Sequence, residues 1–125
     1  MEQINQDQFE QLVIEALDEL PEEFYSKLDN VSVTVADLAS PEQLSKVNQP
    51  HPFNLYGLYE GIPQPYRRHY TAVLPDKITI FRLPILHRYK SPQAIRHKIK
   101  SVVLHELGHH FGLGDDGLYQ SKRAR

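Results

Sequence analysis

His105 and His109 stand four residues apart in a stretch whose apolar residues, Ile95, Ile99, Val102, Val103 and Leu107, recur at helical spacing. The segment therefore reads as one long helix, opened by Ser91-Pro92 and ended near Gly112 or Gly114. Residues four apart on a helix share a face, with Cβ atoms about 5–6 Å apart. Two imidazoles at that spacing can converge on one zinc ion, each at about 2.0–2.1 Å. Glu106 falls about 100° round the helix from His105, near such an ion but off the ligand line. From there it can take a proton from a water without being a ligand. The plain alternative is a helix that merely carries two histidines, and the capped amphipathic setting favours the site over it. The neighbouring His110 falls on the sector of Ile99 and Val103, which predicts packing against the core rather than ligation.

The 125 residues are enough for one domain with an ordinary core, and the sequence reads as a single domain over 1–125 with residues 118–125 a frayed tail. A hydrophobic content of 40% and a charged content of 24% are those of a soluble globular chain. There is no cysteine, which excludes disulfides, thiolate ligands and a cysteine nucleophile, so a metal must be held by imidazole and carboxylate. The net charge of −2 gives no overall electrostatic reason to bind nucleic acid or an anionic membrane. No apolar run approaches a membrane span. The N-terminus, Met1-Glu2-Gln3-Ile4-Asn5-Gln6-Asp7, is acidic and polar where a signal peptide is basic and then apolar. The expectation is a cytoplasmic protein.

Upstream, Phe9, Leu12, Val13, Ala16, Leu17 and Leu20 predict an amphipathic helix over residues 6–19, with Asp7 and Glu10 as its capping box and Pro21 closing it. Pro21 in turn opens a short helix through Phe24 and Leu28. Val31-Ser32-Val33-Thr34-Val35 alternates and is rich in β-branched residues, as a half-buried strand is. Ser40-Pro41-Glu42-Gln43 has a cap, a first-turn proline and a glutamine at the third helical position, so a short helix to about Lys46 follows. Residues 55–59 read as a short strand in which Gly57 and Gly61 permit unusual backbone angles. Residues 70–74 and 77–83 read as paired strands around Pro75-Asp76, with Pro84 marking an edge or a strand end. Helix, strands and helix without βαβ alternation predict an α+β fold: a small mixed or antiparallel sheet packed on an N-terminal helix and on the histidine-bearing C-terminal helix.

A metal site needs a third ligand. Gluzincins take a later glutamate, and no glutamate follows Glu106 here. The extended metzincin pattern H-E-x-x-H-x-x-G-x-x-[H/D] does match, from His105 through Gly112 to Asp115. Gly112 supplies the positive φ that the returning turn requires. Asp115 is the expected third ligand and Asp116 its competitor, with a solvated turn as the reading for whichever is not bound.

Three stretches carry a wider resemblance: Leu55-Tyr56-Gly57-Leu58-Tyr59-Glu60-Gly61, Leu74-Pro75-Asp76-Lys77-Ile78-Thr79-Ile80-Phe81, and Val103-Leu104-His105-Glu106-Leu107-Gly108-His109-His110-Phe111-Gly112-Leu113 with Asp115-Asp116. The sequence resembles the small bacterial zincin-like metallopeptidases, sometimes called minizincins, over nearly its whole length, the N-terminal helix included. The resemblance implies a zincin-like α+β fold, a zinc site and hydrolysis of a peptide or protein substrate. It departs from true metzincins in one respect: Met1 is the only methionine, so no Met-turn lies beneath the metal.

Three protein ligands leave a fourth position for water, as in a catalytic zinc site, and Glu106 is then the general base that deprotonates a zinc-activated water. Tyr119 is the nearest phenol after the metal loop and a candidate oxyanion donor, with ordinary packing the favoured reading. In zincins an edge strand binds the substrate backbone, and residues 77–83 are the candidate edge. His51, His69, His87 and His97 are expected at the surface or in polar core positions. Arg67-Arg68-His69, Arg82, Arg88, Lys90 and Arg96-His97-Lys98 make the middle of the chain basic. A solvated face is the preferred reading, and attraction of an acidic peptide or a nucleic acid the functional one. Two other functions compete with peptide hydrolysis. One is a zinc-binding module without turnover. The other is a metal-dependent RNA-processing hydrolase, whose pattern H-G-x-x-H-x-x-G-x-D-H lacks a glutamate at the position of Glu106.

Overall fold

The computed structural model describes residues 4–61 and 74–112. The expected strand over 70–74, apart from Leu74, and the positions Arg67, Arg68, His69, Asp115, Asp116 and Tyr119 and the tail lie outside the described residues. The chain runs through helices α1 (Gln6–Asp18) and α2 (Glu22–Tyr25), a 3-10 turn (Ser26–Asn30), and strand β1 (Val31–Ala36). Helix α3 (Pro41–Lys46), strands β2 (Gly57–Glu60) and β3 (Asp76–Phe81), and helices α4 (Arg82–Arg88) and α5 (Pro92–Phe111) follow. None of the described helices is long and apolar enough to cross a membrane.

The strands form a mixed sheet in the order β1-β3-β2, with β1 parallel and β2 antiparallel to β3. This is the α+β architecture expected, but it overturns the edge position of 77–83, whose strand β3 has a neighbour on each side. β3 is central: β1 pairs with it from Val31↔Asp76 to Ala36↔Phe81, and β2 from Gly57↔Ile80 to Glu60↔Lys77. Its residues 78–81 are all buried, as a strand covered on both faces and both sides must be. The strand stops at Phe81, and Pro84 sits buried in the first turn of α4, where its missing N–H is no loss.

Period-two alternation sorts the sheet into two faces. Ile78 and Ile80 join Phe9, Val13 and Ala16 of α1 and Ile95, Ile99, Val103 and Leu107 of α5 in the main core. Leu58 and Phe81 point the other way, into a smaller cluster with Ala39 and Leu55. Arg96 and Lys100 tie α5 to α1 through Glu15 and Glu19, at 3.4–3.6 Å.

The caps follow sequence rules with one shift. Ser40 and Gln43 form the expected capping box of α3. The box of α1 lies two residues upstream of the expected pair, at Asn5 and Gln8, whose side chains bond each other's backbone N–H at 2.8 and 2.9 Å. Asp7 lies instead in the first turn, favourable against the helix dipole.

Candidate active site

Helix α5 is built to hold its last turns at a fixed angle. Ser91 Oγ accepts from the Ala94 N–H at 3.0 Å, Pro92 occupies the first turn, and Gly112 ends the helix at φ 65°. Only glycine takes that left-handed conformation without steric cost. The face of Ile95, Ile99, Val102, Val103 and Leu107 is buried. Lys98, His105 and His109 fall on one stripe, half-buried at the first two and exposed at the third, since seven and eleven residues are close to whole numbers of turns.

The two histidine rings come together as the spacing requires, with centroids 4.6 Å apart and planes tilted by 44°. His105 is half-buried and His109 exposed. Glu106 points toward the sheet: its Oε1 accepts the Tyr59 N–H of β2 at 3.1 Å. The register explains why that N–H is available. Phe81 N–H donates to the Tyr56 carbonyl, so Tyr56 and Phe81 form a hydrogen-bonded pair of the antiparallel ladder. Alternation then turns the backbone groups of Leu58 and Glu60 toward β3 and those of Gly57 and Tyr59 toward the outer edge.

Gly57 brings that edge against the helix. A Cβ at this position would overlap Val102 Cγ1 of α5 and lie 3.2 Å from the Thr79 carbonyl oxygen. The glycine is required for space and not for angle, contrary to expectation: among the described glycines only Gly112 has positive φ.

His110 departs from its expected place. It is exposed, not in the core. Its ring stacks on Tyr59, centroids 3.9 Å apart and planes within 15°, so the packing role stands with a different partner. Tyr59 O–H donates to Asp76 Oδ2 at 2.7 Å, and His110 Nε2 lies 3.7 Å from the same oxygen. Burial first, and then the Asp76 carboxylate, raise the Tyr59 pKa well above its ordinary value, so this phenol remains a neutral donor.

An open cleft of about 830 Å³ runs between β2 and α5, bordered by Gly57, Tyr59, Glu106 and His109 at one end and by Tyr56, Arg88, Tyr89 and Lys98 at the other. His51, His87 and His97 are exposed, as expected. The basic stretch is not one solvated face. Arg82 pairs with Asp37 and bonds the Ile4 carbonyl, and Arg96 pairs with α1, whereas Arg88 and Lys98 line the cleft. Sequence reasoning missed the part of Tyr59, whose backbone N–H holds the Glu106 carboxylate.

The donor set fits a zinc ion in kind. Two imidazoles side by side on one helix face are nitrogen donors of the sort zinc takes, with the carboxylate of the next residue close by. Among the described residues no third histidine or carboxylate completes a cluster with them.

No curated protein matches the chain. A family model described as zincin-like metallopeptidase matches residues 28–124, from the 3-10 turn through the histidine helix and beyond, and leaves α1 outside. The chain belongs to the zincin-like metallopeptidase family.

Proposed function

We propose that this protein is a zinc-dependent peptidase in which His105, His109 and Asp115 hold the ion and Glu106 is the general base. A zinc ion held there supplies a Lewis acid that lowers the pKa of a water toward about 7 and stabilises negative charge on a carbonyl oxygen. Glu106 takes the proton of the attacking water and returns it to the departing amine, as the peptide C–N bond breaks and a C–O bond forms. The Tyr59 N–H holds that carboxylate toward the cleft, so its orientation is fixed before the reaction. The outward backbone groups of β2 other than the Tyr59 N–H take the place assigned at first to residues 77–83: an extended peptide lies along them as an added strand.

One observation carries the reading. The carboxylate following the first histidine accepts from the side of β2 that faces away from β3, beside the histidine pair. A helix that merely happened to carry two histidines would have no reason to aim a glutamate there.

The test is zinc analysis of freshly purified protein and of His109→Ala, with cleavage of a broad peptide library. Wild type should carry about one zinc and His109→Ala much less. Glu106→Gln should keep zinc and lose cleavage by about 10²–10⁴-fold. A wild type that binds zinc and cleaves nothing makes the protein a binding module, and an active Glu106→Gln removes the general base.

A further inference from the structure

Resting on the zinc reading of the site, the two histidines of α5 are held unequally. His105 is half-buried, with Leu107 and Gly108 buried just beyond it. Burial of the helix then stops, and His109, His110, Phe111 and Gly112 are all exposed. The second histidine therefore stands in the last turn, where carbonyl groups lack intrahelical partners and a helix opens most readily. An ion shared by the two rings needs that turn held as firmly as the one before it.

Tyr59 supplies the hold. Its ring stacks on that of His110, the residue next to His109, with centroids 3.9 Å apart and planes 15° from parallel. Phe111 meets both rings edge-on, 6.4 Å from Tyr59 and 4.9 Å from His110. Lys27 of the 3-10 turn lies 5.5 Å from the Phe111 centroid. Aromatic contacts of these geometries attract beyond the area they bury. The Tyr59 ring is itself fixed at both ends of its length. It packs against the main core, and its O–H donates to Asp76 Oδ2 at 2.7 Å, two residues before its cross-strand partner Ile78. We infer that Tyr59 is, through its side chain, a positioning residue for the second metal-binding histidine: pinned to Asp76 of β3, it holds the last turn of α5, and His109 with it, through the His110 ring. One residue of β2 then serves the site twice. Its backbone N–H holds the Glu106 carboxylate, and its ring steadies His109.

The test uses the full chain with a mild and a severe variant at each partner. His110→Phe keeps a ring to stack, and His110→Ala removes it. Tyr59→Phe keeps the stack but releases Asp76, and Tyr59→Leu removes both while leaving the backbone N–H to Glu106. Zinc affinity is read by competition with a chromophoric chelator. The Kd should rise about tenfold for His110→Ala and Tyr59→Leu, the lower end of what groups supporting a metal ligand contribute, and less than about twofold for His110→Phe. Tyr59→Phe should fall between. Amide exchange of the metal-free chain gives a second readout: residues 108–111 should exchange faster in His110→Ala, with the amides of β3 unchanged. Unchanged exchange in that turn overturns the inference. Faster exchange with unchanged zinc affinity also overturns it, because the stack then serves only the fold. Equal loss of affinity in His110→Phe and His110→Ala overturns it in favour of the imidazole itself. Cleavage by the wild type reports separately. A chain that binds no zinc loses the metal site and the inference with it, whereas one that binds zinc, shows these differences and cleaves nothing loses only the peptidase reading.

Discussion

Strands β3 and β2 lie side by side and are held in opposite ways. β3 has a neighbour along each side, and its residues 78–81 are all buried. Among the described residues β2 has a partner on one side only, and it turns its other side to α5 and the cleft. What fixes β2 is a set of separate contacts: Gly57 closing on Val102, Tyr59 bonded to Glu106 and Asp76, and Glu60 bonded to Gln43 and Lys46. Apolar burial is strong but has no direction, whereas hydrogen bonds and close backbone packing specify position. The central strand supplies stability, and β2 supplies the placement of the Glu106 carboxylate.

The comparison breaks if the two strands respond alike to damage. Ile78→Ala in β3 empties a fully buried site and should cost about 2–5 kcal/mol, read by denaturant or thermal unfolding. Peptide cleavage by the molecules that remain folded should change much less. Gly57→Ala in β2 should cost less stability, about 1–3 kcal/mol, because the added methyl displaces the strand without emptying the core. Its cleavage should fall by up to about a hundredfold, since a shift of the order of 1 Å misplaces Glu106. Pairing it with Val102→Ala should recover part of the loss, leaving the double variant better than the two single effects summed. Equal loss of specific activity from Ile78→Ala and Gly57→Ala would show that position and stability are not divided between the strands.

How much of this was legible in the sequence follows the same division. Local rules did well where local chemistry decides: the period of α1 and α5, the Ser40–Gln43 box, and a glycine, Gly112 of the two candidates, at the end of the histidine helix. The histidine pair and its glutamate were legible for the same reason, since one helix carries all three. The centre of the sheet was not, because which strand has two neighbours depends on pairing with β1, which joins β3 in parallel across a long connection. Residues 77–83 were given an edge on the strength of Pro84, yet that proline belongs to α4. Gly57 was noticed for its backbone freedom, and its use turned out to be the missing side chain. His110 was assigned by helical angle alone, which cannot say where the core stops along the axis.

The smallest effect sharpens how β2 is anchored at its far end. Burial alone would raise the Glu60 pKa, but hydrogen bonds from Lys46 at 2.6 Å and Gln43 at 2.9 Å outweigh it, and the net shift is downward. A carboxylate depressed in the folded state stabilises that state above its ordinary pKa, because there both states are ionised and only the folded one has the partners. As pH falls, the unfolded chain takes up its proton first, and the contribution fades through the ordinary glutamate range until the folded Glu60 is protonated too. Lys46 is more than half exposed, so its share is screened and should stay below about 1 kcal/mol. Unfolding free energies measured from neutral pH down through that range should therefore fall slightly faster for wild type than for Lys46→Met, with the gap narrowing in high salt. If the two curves stay parallel, Gln43 alone fixes the end of β2, and the ion pair with Lys46 adds nothing to its position.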